Sequence, residues 1–301
     1  MHKSVFVILL FVLACIHSKV GAADGQPAPA PVQVAIWPGT PPDAQPAPGP
    51  QTDWSNIVQP TLTVYPPQRK NTRIAIVVFP GGGFEGLAIK GEGTDICDWL
   101  TSKGITCVLL RYRVPSLPFD WHCKCRPDNL TTSTQALEDA QRTLSLVRSH
   151  AAEWHVDPQK IGVMGFSAGG YLVAEISTRY NKRLYPARDA IDQISCRPDF
   201  AVAVYPGHLW TGGKDYGLNP NTPVNHQTPP TFLVQAENDN VDDVTNSIAY
   251  YIALKDAGVP AELHLYAEGK HAFGLRPTSL PIGQWPVLVE RWLHTVGMLG
   301  H

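Results

Sequence analysis

Neither sign of charge is in excess. The 301 residues carry 24 Lys and Arg against 26 Asp and Glu, a formal net charge of −2. There is no Lys/Arg-rich run, and a nucleic-acid-binding surface needs a basic excess, so that class is disfavoured. Hydrophobic residues make up 44% of the chain. Disorder over most of the length requires low hydrophobicity and high net charge, so it is excluded. No apolar run reaches the roughly 20 residues of a membrane-spanning helix. Internal repeats are also missing.

Proline, by contrast, is abundant and unevenly spread. Of 28 Pro, nine lie between Pro27 and Pro50. Residues 23–60, rich in Pro, Ala, Gly and Gln, read as an extended, irregular lead-in to a globular body. Before them stand a basic start, Met1-His2-Lys3, and twelve apolar residues, Val5 to Ile16. With the small residues Gly21 and Ala22 following, 1–22 reads as a secretory signal cleaved after Ala22. The protein is then secreted or periplasmic. A weak lipobox, Val12-Leu13-Ala14-Cys15, leaves a lipid anchor at Cys15 as the alternative.

Six Cys are present: Cys15, Cys97, Cys107, Cys123, Cys125 and Cys196. Export permits disulfides, but spacing does not give their pairing. Cys97 and Cys107 sit in apolar stretches and suit plain buried positions. A loop disulfide among the others, involving Cys196, is the favoured reading. His122-Cys123-Lys124-Cys125 lacks a second ligand pair at zinc spacing, so no metal site is expected.

From Thr61 the pattern becomes regular. Strand-like runs occur at 61–65, 73–79, 105–112, 160–164, 200–205, 231–236 and 261–266. Helix-like stretches occur at 95–103, 133–154, 168–179, 245–257 and 284–299. The central strands are almost wholly apolar, as expected where helices cover both faces of a sheet. The fold class is therefore α/β, a doubly wound and mostly parallel sheet in a single domain over 61–301. Loops at the carboxyl ends of such strands carry the site.

Gly165-Phe166-Ser167-Ala168-Gly169 fits G-x-S-x-G between a strand and a helix. A nucleophile on so tight a turn needs small residues two positions either side. Phe79-Pro80-Gly81-Gly82-Gly83-Phe84 follows another strand. Its glycine N–H groups at Gly82 and Gly83, with that of Ala168, suit a developing oxyanion. Of the eleven His, His271 follows the last strand and suits the base that Ser167 needs. His208 suits a lining position and His264 a structural one. Asp239, just past strand 231–236, stands where the orienting acid belongs. Asp242 and Glu237 remain open as alternatives, and Asp242 and Asp243 also suit the N-terminus of the next helix.

These motifs, with Lys270-His271-Ala272-Phe273-Gly274, Ile36-Trp37-Pro38-Gly39 and Arg197-Pro198-Asp199-Phe200, resemble the α/β-hydrolase superfamily. More narrowly they are similar to bacterial acetylxylan and feruloyl-esterase-like enzymes. Pro80 stands where many relatives have His before the glycine run, which argues against the hormone-sensitive-lipase branch. The resemblance implies a serine esterase with Ser167, Asp239 and His271 as triad, backbone donors at Gly82, Gly83 and Ala168, and no cofactor. Its implied substrate is an acylated polysaccharide, with acetyl as the acyl group. Phe84, Trp121, Tyr205 and Trp210 are the aromatic residues that could stack on a sugar ring. A feruloyl esterase or a prolyl-oligopeptidase-type peptidase is the alternative, and a non-catalytic binding protein on a dead hydrolase fold is the third.

Overall fold

A computed structural model describes residues 30–44, 49–50, 52, 54–114 and 130–300. The expected signal and Cys15, and the loop carrying Trp121, His122, Cys123 and Cys125, lie outside the described residues. Eight strands form one sheet: β1 (Val32–Ala35), β2 (Thr61–Tyr65), β3 (Ala75–Phe79), β4 (Thr106–Arg111), β5 (Ile161–Phe166), β6 (Ala201–Val204), β7 (Thr231–Ala236) and β8 (Ala261–Tyr266). Their order is β1-β2-β4-β3-β5-β6-β7-β8. β1 and β2 run antiparallel at one edge, and β4 through β8 are parallel. The helices are α1 (Asp95–Ser102), α2 (Leu130–Ser149), α3 (Ala168–Thr178), α4 (Thr245–Asp256) and α5 (Trp285–Thr295). This is the expected doubly wound α/β architecture.

The apolar strands divide their residues between two helix layers. In β3, Ala75, Val77 and Phe79 face the cluster that includes Leu137, Leu144 and Tyr171 of α2 and α3. Ile76 and Val78 face the opposite cluster, with Leu100 of α1 and Trp285 and Trp292 of α5. Because side chains alternate across a strand, a strand buried on both faces reads as one continuous apolar run.

Five expectations need correction. The lead-in is not irregular throughout, because Val32–Ala35 pairs with β2. An edge strand tolerates flanking prolines, since one side of its backbone needs no partner. β5 runs two residues past 164, where Gly165 and Phe166 pair with Ala203 and Val204 of β6. α2 starts earlier and stops at Ser149 rather than Trp154; the chain then turns out through His155 at φ 54°. Cys97 and Cys107 are bonded to each other, with Cα atoms 5.2 Å apart. α1 lies on the face of β4 that carries Cys107, so the two buried thiols meet. Cys196 is free and buried, and its thiol donates to the carbonyl of Tyr180. The expected loop disulfide at Cys196 is therefore not found among the described residues, and Cys123 and Cys125 lie outside them.

A buried ionic network ties the lead-in to the body. The Arg113 backbone N–H donates to Asp139 at 2.9 Å, and its Nε contacts both carboxylate oxygens at 3.0 and 3.1 Å. Its guanidinium also reaches Glu138 at 2.8 Å and the carbonyl of Pro42 in the lead-in. Trp37 Nε1–H donates to Asp139 at 2.8 Å. The indole lies between the Arg113 and Arg142 guanidiniums, 6.0 and 5.8 Å from its ring centre. Burial, opposed by Arg113, pushes Glu138 up to about 7. Among the described residues no helix is long and apolar enough to cross a membrane.

Removing one member of such a network strands the others without compensation. Asp139→Ala is expected to cost about 3–5 kcal/mol, read as a lower urea midpoint with an unchanged slope. An unchanged midpoint would show that Arg113 finds compensation elsewhere.

Candidate active site

Four chain segments converge at the carboxyl end of the parallel strands. β5 ends at Phe166, and Ser167 sits on the turn into α3 at φ 52° and ψ −120°. That is left-handed territory, which costs a non-glycine residue about 1–3 kcal/mol. The turn closes only because its neighbours are glycines. A Cβ on Gly165 would strike the carbonyl of Gly169, and one on Gly169 would strike the carbonyls of Phe79 and Pro80. The end of β3 therefore packs directly on the start of α3.

The glycine loop after β3 lies against the same turn. A Cβ on Gly81 would meet Phe166 and Ser167. Gly82 and Gly83 both have positive φ, 132° and 65°. The Gly82 carbonyl accepts from Glu85 and Gly86 N–H, which closes the loop. The Gly81 N–H is held by Glu92 Oε2 at 2.7 Å.

His271 lies between β8 and α5, flanked by Lys270 and Ala272 with φ of 59° and 55°. Asn238 Oδ1 accepts from the Gly269 and Lys270 N–H groups at 3.0 and 2.8 Å, fastening the histidine loop to the loop after β7. His271 Nε2 is 3.0 Å from Ser167 Oγ. Its Nδ1 is 2.8 Å from Asp239 Oδ2 and 3.0 Å from Oδ1. Asp239 also accepts the N–H groups of Val241 and Asp242. The structure thus brings Ser167, His271 and Asp239 into one hydrogen-bonded line.

Asp242 does not take the acid's place. Its Oδ2 lies 3.4 Å from Ser167 Oγ and 3.8 Å from His271 Nε2, at the opposite nitrogen from Asp239. Glu237 is exposed, and Asp243 bonds the Thr245 N–H at the start of α4. His264 pairs with Glu262 on β8, in keeping with a structural place. His208 stands edge-on to Tyr171.

The electrostatics sort these groups. Burial works against a charged His271, but the hydrogen bond and charge of Asp239, with the charges of Asp242 and Glu92, outweigh it and raise its pKa. Burial also opposes ionised Asp239, yet its bonds to His271 and two backbone N–H groups hold its pKa below the usual value. Asp242 and Glu92 go the other way, with burial raising both.

Of the aromatic residues expected to stack on sugar, Phe84 and Tyr205 are 1% and 0% exposed. Neither presents an open face, which corrects that expectation. Phe84 packs on Tyr112 and Tyr171. The Tyr205 ring supports His271 at 5.0 Å, and its hydroxyl donates to Glu92 at 2.9 Å. Trp210 is half-buried on its own loop, its Nε1–H donating to Gly213. Trp121 lies outside the described residues. Glu92 was not visible in the sequence. It falls in a single π-helical segment, Lys90–Thr94, with no motif to mark it.

A nucleophile, a base at hydrogen-bond distance and an orienting carboxylate are the parts of nucleophilic catalysis. Comparison with known proteins gives the family of the chain. The family model for the prolyl oligopeptidase family matches residues 98–281. An acetylxylan esterase of Xylanibacter ruminicola is 32% identical over 222 residues, 66% of this chain and 41% of that protein. Endo-1,4-beta-xylanase B of Butyrivibrio fibrisolvens is 26% identical over 234 residues, 70% of this chain and 34% of that protein. The chain thus spans well under half the length of these two curated relatives. The crystal structure of an acetyl ester-xyloside bifunctional hydrolase from Caldicellulosiruptor lactoaceticus superposes with a TM-score of 0.73 at 30% identity. That match covers 92% of this chain and 100% of that one.

Protonated His271 cannot accept the serine proton. Labelling of Ser167 by a fluorophosphonate probe is therefore expected to slow as pH falls through a value above the ordinary histidine 6.5. Asp239→Asn should move that limb down, because the carboxylate that favours the imidazolium is gone. A limb at or below 6.5 in the parent protein would contradict the arrangement.

Proposed function

The chain belongs to the prolyl oligopeptidase family of α/β hydrolases, and on that basis we propose that it is a secreted serine esterase removing short acyl groups, acetyl foremost, from plant polysaccharide such as xylan. The observation that carries the reading is His271 standing between Ser167 at 3.0 Å and Asp239 at 2.8 Å. In this mechanism Ser167 Oγ attacks the ester carbonyl carbon and passes its proton to His271 Nε2. The N–H groups of Gly82, Gly83 and Ala168 hold the oxyanion, each such donor contributing about 100- to 1,000-fold in rate. The C–O bond to the alcohol breaks, and the alcohol leaves with the proton from His271. Water then attacks the acyl-enzyme, gives a proton to His271, and frees the acid as that proton returns to Ser167. Asp239 keeps the imidazole oriented throughout.

Esters are favoured over peptides by the relatives named above, two of which are an acetylxylan esterase and an acetyl ester-xyloside hydrolase. Export, read from residues 1–22, suits an extracellular polymer. The pairing of Cys97 with Cys107 fits an oxidising compartment.

Ser167→Ala is expected to abolish release of p-nitrophenol from p-nitrophenyl acetate while leaving circular dichroism and Tm unchanged. Retention of full activity would overturn the assignment. With parallel feruloyl and aminoacyl substrates, acetate release from acetylated xylan is expected to exceed both. A preference for the aminoacyl substrate would favour the peptidase reading.

A further inference from the structure

A carboxylate beside a serine nucleophile, on the far side of the base from the orienting acid, calls for an explanation. Asp242 Oδ2 sits 3.4 Å from Ser167 Oγ and 3.8 Å from His271 Nε2. Its side chain is 15% exposed, so much of its hydration is lost and part of the group stays accessible. Stripping water from a carboxylate is costly unless something replaces it.

Its position is built. The Asp242 N–H donates to Asp239 Oδ1 at 3.0 Å, and Gln235 Nε2 donates to the Asp242 carbonyl at 2.7 Å. Gly207 clears the space, since a Cβ there would strike the whole carboxylate group. Helix capping does not account for it, because Asp243 makes the side-chain bond at the start of α4. Nor, among the described residues, does a fixed cation. The charged groups that face it are His271, Asp239 and His208, with Glu92 beyond His271.

The reaction direction says what this position meets. His271 Nε2 must hand its proton to the leaving oxygen, which therefore stands within hydrogen-bond distance of Nε2. Asp242 lies on that same side, opposite the nitrogen held by Asp239. A group on the carbon next to the one that bears the leaving oxygen is placed to reach the carboxylate. An ionised carboxylate accepts hydrogen bonds and donates none, so the matching group is a hydroxyl.

We propose that Asp242 is a substrate-binding residue that accepts a hydrogen bond from a free hydroxyl vicinal to the scissile ester, so that the site selects monoacylated diols, the pattern of a partly acetylated sugar. The same charge disfavours alcohols that leave as anions. This inference rests on the esterase reading and names the alcohol side of its substrate.

The test uses a matched pair: trans-2-hydroxycyclohexyl acetate and cyclohexyl acetate, which differ by that hydroxyl alone. Both are assayed with the full chain and with two variants, D242N and D242A, at the plateau of the pH profile so that His271 titration does not enter. The parent protein is expected to favour the hydroxy ester in kcat/KM by roughly tenfold or more, the range of a hydrogen bond to a charged group. D242A should collapse that ratio to the solvent value, and isosteric D242N should retain only part of it. A merely structural role would slow both esters alike and leave the ratio alone. A parent ratio equal to the uncatalysed one, or a ratio unchanged in both variants, overturns the proposal while the esterase reading stands. Failure of the parent protein to hydrolyse either ester overturns both.

Discussion

The molecule is organised around one close approach, where the end of β3, the end of β5 and the first turn of α3 come together without room for side chains. Gly169 lies against the carbonyls of Phe79 and Pro80, and Gly165 against that of Gly169. That approach forces Ser167 to φ 52° and ψ −120° and brings the glycine loop beside it. The rigidity of the sheet holds this strained turn. β3 and β5 are central parallel strands with all residues buried, and the surrounding packing over-determines the turn. His271 and Asp239 arrive on the loops after β8 and β7, and Asn238 fastens those two loops together.

Three carboxylates surround the imidazole of His271, and their environments separate their roles. Asp239 has backbone N–H groups and the imidazole for partners and is held ionised. Glu92 is almost sealed beneath the glycine loop, where it joins the Gly81 N–H to the Tyr205 hydroxyl. Tyr205 in turn supports the His271 ring, so the glycine loop and the His271 loop share one buried support. Asp242 stays partly accessible on the third side. Similar side chains acquire different protonation tendencies from burial and hydrogen bonding.

Much of this was legible along the chain. The strands expected at 61–65, 231–236 and 261–266 coincide with β2, β7 and β8, because their apolar residues are bounded by turn chemistry. Ser167, His271 and Asp239 were found by motif and by position after strands, and the structure gathers them. The failures share a cause. β1 was hidden in a Pro-rich stretch, and its pairing depends on the distant β2. The Cys97–Cys107 bond depends on α1 crossing the correct face of β4. Phe84 and Tyr205 looked like exposed platforms because composition does not report burial.

Local order was thus determined by the sequence alone: the alternation of strands and helices, the glycines that permit the tight turn at Ser167, and the chain order of Ser167, Asp239 and His271. These follow from backbone sterics and periodicity, which act over a few residues. The tertiary structure decided which of two aspartates faces Nδ1 and which faces Nε2. Asp239 and Asp242 are three residues apart on one loop, and position after the strand favours Asp239 without fixing where either carboxylate points. The loop's own bonds turn Asp239 Oδ1 toward the N–H groups of Val241 and Asp242. The space left by Gly207 admits the Asp242 carboxylate on the other side. That placement depends on contacts between segments far apart in the chain, which exist only once the sheet has assembled.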